Sequence, residues 1–420
     1  MKFTWFNLMP WPDLPPDFRE KHHSVWVDIP NTLFDPVRAN GLYNEYMDQL
    51  EYAEACGFDG IGVNEHHQNG YGIMPSPNII AAGLARRTSR AALCVIGNSI
   101  ALYNPPIRVA EEFAMLDCIS GGRLVAGFPV GTPMDTNFCY GQIPALTRDK
   151  YYEAHDLIMK AWAAEEPFAF DGKYNQLRYV NCWPKPVQQP HPPIYIPGGG
   201  SIETWDFCLD HDYNYSYLSF GGYKSGKALL DGYWDRVAAR GKDDSPYRAA
   251  FAQIIAVADT DAEAEKLYAD HILYFYNRCL HVYPGFADPP GYRTISTIRA
   301  GMLDQLRADA QRRFATLTWK DLIDGGFVIG GSPATVYDRM VEMIEQLRIG
   351  HVFCLFHNGD QPDWKTRHST KLFAEKVMPR LRDLWPEYAG DDRWWVKPLA
   401  SRVHADETFA DARRDATVPQ

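Results

Sequence analysis

CGFDGIGVNEHHQNGYGIMPSPNIIAA, residues 56–82, runs from a turn through a short strand into a glycine-bearing loop and the apolar start of a helix. The stripe before it, Tyr46, Leu50 and Ala53, has helical spacing and stops at Gly57, a residue suited to the left-handed position after a helix end. The strand itself, GIGVNE (60–65), is an apolar run with no early polar alternation, as in strands covered on both faces of a parallel sheet.

Seven further segments of this kind lie outward from it: FTWFNL (3–8), LCVIGNSIAL (93–102), RLVAGFPV (123–130), PIYIPG (193–198), YNYSYLSF (213–220), FAQIIAVA (251–258) and HVFCLF (351–356). Amphipathic stretches separate most of them, at 109–122, 148–166, 204–212 and 332–350, the last opening on Ser332-Pro333 and ending at Gly350. Eight strands alternating with helices predict a (β/α)8 TIM barrel; an open doubly wound sheet is the competing reading, and eight strands favour closure. The expected organisation is one barrel over 1–389, with insertions at about 10–39 and 259–331, and a polar C-terminal extension over 390–420. Insertions after strands emerge at the C-terminal face, where lids form. For 259–331 the pattern gives a helix, a Pro/Gly loop around VYPGFADPPGY and a second helix over Leu303–Phe314.

The chain has 420 residues, with 42 Lys plus Arg against 53 Asp plus Glu, a formal charge of −11. That balance argues against nucleic acid or an anionic membrane as partner while leaving room for a local basic pocket. No apolar run reaches the roughly 18 residues of a membrane span, and the first residues, MKFTWFNLMPWPDLPP, lack the apolar core of a secretory signal. The 8 Cys are scattered, with no C-x-x-C pair. A cytoplasmic protein without disulfides or structural zinc is expected. Adjacent His66 and His67 are not the i, i+4 pair of a zinc helix.

Four motifs together resemble the bacterial luciferase-like flavin monooxygenase family. They are residues 56–82 with Glu65-His66-His67; YNPPIRVAEEFAMLDCISGGRLVAGFPVG (103–131), carrying Leu116, Asp117, Ser120, Gly122 and Arg123; PIYIPGGGSIETWDF (193–207); and GGFVIGGSPATVYDRM (325–340). The resemblance spans about residues 40–385. It implies reduced FMN and O2 as reactants, oxygenation of a small organic substrate through a C4a-(hydro)peroxyflavin, a separate NAD(P)H:flavin reductase as partner, and a homodimer or dimer of dimers. No full G-x-G-x-x-G site follows a strand, so a resident nicotinamide is not expected.

Candidate site residues follow from the chemistry. A helix N-terminus with small residues can cradle a phosphate, which points to Gly199, Gly200, Ser201 and Thr204. An ordinary capped strand-to-helix junction would look the same locally. The resemblance adds Arg108, whose guanidinium could bridge phosphate oxygens, and Tyr151, with core packing as its alternative. Asn98 and Ser99 interrupt an apolar strand and could meet the polar edge of the flavin ring, or pair with each other. His66 stands where the family has a histidine facing the flavin, and imidazole can move a proton near neutral pH. Glu65 is placed beside it as a catalytic neighbour, and His67, Trp11 and Phe128 are read as substrate contacts. Aromatic residues crowd the expected pocket, so an apolar or aromatic guest is expected, although such stripes also build cores. Three other functions stay open: hydride transfer with a deazaflavin, a non-catalytic flavin-binding protein, and a non-flavin barrel hydrolase.

Overall fold

The computed structural model describes residues 1–218, 220–299 and 314–400. Among the described residues there are eleven strands: β1 Lys2–Phe6, β2 Gly60–Val63, β3 Ala92–Val95, β4 Leu124–Gly127, β5 Phe168–Asp171, β6 Gln176–Val180, β7 Ile194–Gly198, β8 Asn214–Tyr217, β9 Ala249–Val257, β10 Val328–Gly331 and β11 His351–Leu355. Parallel pairing runs β11-β1-β2-β3-β4-β7-β8, and β9 joins β8 to β11, closing an eight-stranded barrel. The fold is a (β/α)8 TIM barrel. Its strands are buried almost throughout, which is why they read as unbroken apolar runs. Phe6, Phe353 and Tyr195 pack edge to face within it. Tight approach has a visible requirement at Gly127, where a Cβ would fall 2.4 Å from the Val95 carbonyl oxygen.

Two features depart from the sequence expectation. β10 is a ninth parallel strand inside the segment read as an insertion; it pairs with residues 254–257 of β9, beyond the part of β9 that meets β8. The helix Asp261–Tyr274 packs on β10, so 259–331 is not one excursion but a βαβ unit with added chain. The expected second helix, Leu303–Phe314, lies outside the described residues except for Phe314. The hairpin β5–β6, antiparallel and partly exposed, was not foreseen at all.

The insertion after β1 is pinned rather than loose. Trp26 and Asn69 form an antiparallel bridge, Trp11 N–H donates to Gly70 O, and Val25 N–H donates to His281 O. Of the C-terminal extension, Trp394 is buried with its indole on Asp212 O, and Arg393 pairs with Asp243 and Asp391; residues 401–420 lie outside the described residues. The L-D-x-x-S-x-G-R motif serves the barrel floor. Arg123, buried just before β4, donates to the carbonyls of Ala85, Thr88, Ala91 and Ser120, and Asp117 accepts from Gln188 and Leu124. Among the described residues no helix is long and apolar enough to cross a membrane.

Candidate functional site

β2 delivers Glu65, His66 and His67 to the C-terminal mouth of the barrel. Glu65 is buried and accepts from Ser99 N–H at 2.5 Å, from Tyr103 OH at 2.7 Å and from His67 Nε2 at 3.2 Å. Burial and then the Glu65 charge push the Tyr103 hydroxyl far above its ordinary range, so it stays a proton donor to the carboxylate. His66 turns the other way. Its Nδ1 lies 2.9 Å from Asp135 Oδ2, and its ring stands edge-on to Trp26 and Tyr71 at 4.9 and 5.0 Å. Asp135 sits on a π-helical turn, Met134–Cys139, beyond β4. It also accepts from Trp26 Nε1 at 3.0 Å, His67 N–H at 2.8 Å and Thr132 Oγ1 at 2.8 Å.

His66 and Trp11 line a cleft of about 520 Å³ with Ile29, Phe34, Tyr43 and Ile73 among its walls, and no Asp, Glu, Lys or Arg lines it. The volume is that of a small-molecule site. Trp11 and Phe34 lie 5.0 Å apart within it. His67 does not line it; its ring is held between Glu65 and Tyr140. Phe128 points the wrong way for a substrate contact. It stacks on Phe113 at 5.7 Å and Trp162 at 6.1 Å, both on helices outside the barrel wall, because period-2 alternation after Gly127 sends its ring outward.

The candidate phosphate cradle lies where β7 ends. Gly200, at φ +93°, makes the turn, and a Cβ there would run into Leu229 at 2.2 Å. A Cβ on Gly199 would meet nothing within 4 Å, so the chain is open there. Ser201 caps the helix Ile202–His211, accepting from Thr204 N–H, and the two hydroxyls are 2.7 Å apart. The arginine that meets them is Arg148, not Arg108. Its two terminal nitrogens lie 3.3 Å from Ser201 Oγ and 3.5 Å from Thr204 Oγ1, while its Nε is buried without a hydrogen-bond partner. Arg108 is 69% exposed and pairs with Glu112 one helical turn on. Tyr151 is core: its hydroxyl donates to the Phe128 carbonyl and has no second proton for a phosphate. Asn98 is fully buried and exchanges hydrogen bonds with Asn78, while Ser99 holds Glu65 through its N–H.

Part of the segment between β9 and β10 covers this cradle. Glu203, in the first turn after Ser201, accepts from Thr294 at 2.7 Å, Thr297 at 3.0 Å and Ser296. Burial alone would raise its pKa, but the three hydroxyls together hold it down to about 2. Tyr292 OH donates to Gly131 O.

The model of the luciferase-like monooxygenase family matches residues 28–350. The chain belongs to that family. Limonene 1,2-monooxygenase of Rhodococcus erythropolis is 25% identical over 362 residues, covering 84% of this chain and 85% of that one. Among solved structures, the oxygenating constituent of 3,6-diketocamphane monooxygenase from Pseudomonas putida, in complex with FMN, superposes with a TM-score of 0.63 at 20% identity, over 81% of this chain and 94% of its own. An F420-dependent secondary alcohol dehydrogenase superposes at 0.60 with 18% identity, over 91% and 99%. Both superpositions show a shared barrel.

For a luciferase-like monooxygenase, the residues present suit a flavin phosphate. Ser201, Thr204, the open Gly199 and an arginine with an unspent buried donor supply hydrogen-bond donors and positive charge at a helix N-terminus. Two residues of this family member, Arg148 and Asp135, escaped sequence reading. Arg148 stands three residues before Tyr151 in RDKY, on the same helix; Asp135 had no motif to announce it.

Proposed function

We propose that this chain is the oxygenase of a two-component flavin system, taking reduced FMN from a separate NAD(P)H:flavin reductase and using O2 to oxygenate a small, uncharged, apolar or aromatic substrate. The observations that carry the reading are Arg148 converging with Ser201 and Thr204 at a helix N-terminus, and His66 lining a cleft with no charged walls. Bound reduced FMN supplies the electrons that activate O2.

The chain's own tasks are binding, orientation, drying and proton movement. Arg148, Ser201, Thr204 and the free amides of the helix start hold the phosphate. Asn98 and Ser99 stand on the loop after β3 for the polar edge of the ring, with Glu65 fixing that loop through the Ser99 amide. The cleft walls around Trp11 and Phe34 take the carbon skeleton of the substrate. His66 accepts or returns a proton at Nε2 on the cleft side. The segment 291–297, tied to Glu203 and Gly131, keeps water from the phosphate end.

A deazaflavin reading keeps the same barrel. The test supplies the protein with FMN, NADH and a flavin reductase under ¹⁸O2, with a panel of neutral cyclic compounds. The reading expects one ¹⁸O atom in a product. Turnover only with a deazaflavin, without ¹⁸O, would replace it.

A further inference from the structure

Asp135 is a poor candidate for a merely structural carboxylate. It is almost fully buried, lies on a π-helical turn and receives four groups. Trp26 Nε1 and His67 N–H approach Oδ1; Thr132 Oγ1 and His66 Nδ1 approach Oδ2. The indole and the amide are donors by constitution. A carboxylate at neutral pH has no hydrogen to give, so the imidazole nitrogen beside it must also be a donor. The neutral ring then carries its proton on Nδ1, and its lone pair is on Nε2. Trp26 and Tyr71, edge-on to the ring, block its rotation.

We infer that Asp135 is the positioning residue of His66: it fixes the Nδ1–H tautomer and so presents Nε2 to the cleft as a proton acceptor. The inference rests on the role of His66 proposed above, but its direct test does not. Through Trp26, the same carboxylate ties the ring to the insertion after β1, so His66 is set in place by three separate parts of the chain: the loop after β2, the turn after β4 and that insertion.

The experiment is ¹⁵N-histidine NMR on the full chain, with the His66 signals identified by their loss in His66→Gln. In the wild type, two-bond correlations should show Nδ1 protonated and Nε2 bare. A wild-type His66 bare at Nδ1 would overturn the inference whatever any variant does. Asp135→Asn keeps the shape but offers an N–H toward the ring, so the population should move to the Nε2–H tautomer. Turnover should then fall roughly 10²-fold or more with KM changed less than threefold. An unchanged tautomer in Asp135→Asn also refutes it. The tautomer is read without flavin or substrate, so failure of the proposed reaction would show separately, as absence of turnover with a correctly set imidazole.

Discussion

Replacing Arg148 with methionine keeps most of the stem and removes the guanidinium. In the folded protein that group is already aimed: its terminal nitrogens lie 3.3 and 3.5 Å from the Ser201 and Thr204 hydroxyls, and Nε is buried and unpartnered. A phosphate arriving there gains charge-assisted hydrogen bonds without first ordering a side chain. Such bonds contribute about 1.5–3 kcal/mol, and each 1.4 kcal/mol is about tenfold in affinity. Arg148→Met should therefore weaken FMN binding by roughly 10- to 150-fold. Riboflavin has the same ring and no phosphate, so its affinity should barely change. The assay is quenching of flavin fluorescence, titrating wild type, Arg148→Met and Arg108→Ala with both flavins, alongside melting curves to confirm folding. Wild type should prefer FMN, Arg148→Met should lose most of that preference, and Arg108→Ala should keep it, since Arg108 is exposed and engaged with Glu112. Equal binding of FMN and riboflavin by the wild type, or a loss that follows Arg108 instead, would refute the reasoning.

His66→Gln should fold and bind FMN normally yet turn over about 10²–10⁴-fold more slowly; an unchanged rate at saturating reduced FMN removes His66 from the chemistry. Glu203→Gln keeps the size of the side chain but discards the charge that three hydroxyls share, so limited proteolysis between Val282 and Thr294 should quicken several-fold, and an unaltered cleavage rate would show that the segment is held elsewhere. Burial lowers His351 to about 3 and His357 to about 4 from an ordinary 6.5, so the unfolded chain takes up these protons first and stability must fall as pH drops below about 6.5. At pH 5.5 each site costs about 1.4 kcal/mol; thermal midpoints at pH 7.5 and 5.5 should differ, with a smaller gap in His357→Gln, and equal gaps in the two proteins would contradict the assignment.

The barrel was legible because seven of its eight wall strands are short, almost wholly buried runs, and eight such strands alternating with helices favour closure over an open doubly wound sheet. β10 was missed because Val328-Ile329-Gly330-Gly331 is four residues, half of them glycine, leading straight into the Ser332-Pro333 helix start. The β5–β6 hairpin was missed because its strands are only four and five residues long and partly exposed, so neither reads as a buried run. At the candidate site, Ser201 and His66 stand just past the ends of β7 and β2, places the sequence marks, and Thr204 follows Ser201 in the first turn of the next helix. Arg148 and Asp135 act across gaps of 53 and 69 residues from their partners, and no local pattern reports such a meeting. Phe128 was misread for a simpler reason: one position along a strand exchanges the inside of the barrel for the outside.

The central claim is that this luciferase-like monooxygenase is built for FMN. The direct measurement is an anaerobic absorbance titration of the protein with reduced FMN and, separately, with the reduced deazaflavin coenzyme. The account predicts saturable binding of reduced FMN, at least tenfold tighter than the deazaflavin and weakened by Arg148→Met. Saturable binding of the deazaflavin with none of FMN would contradict it.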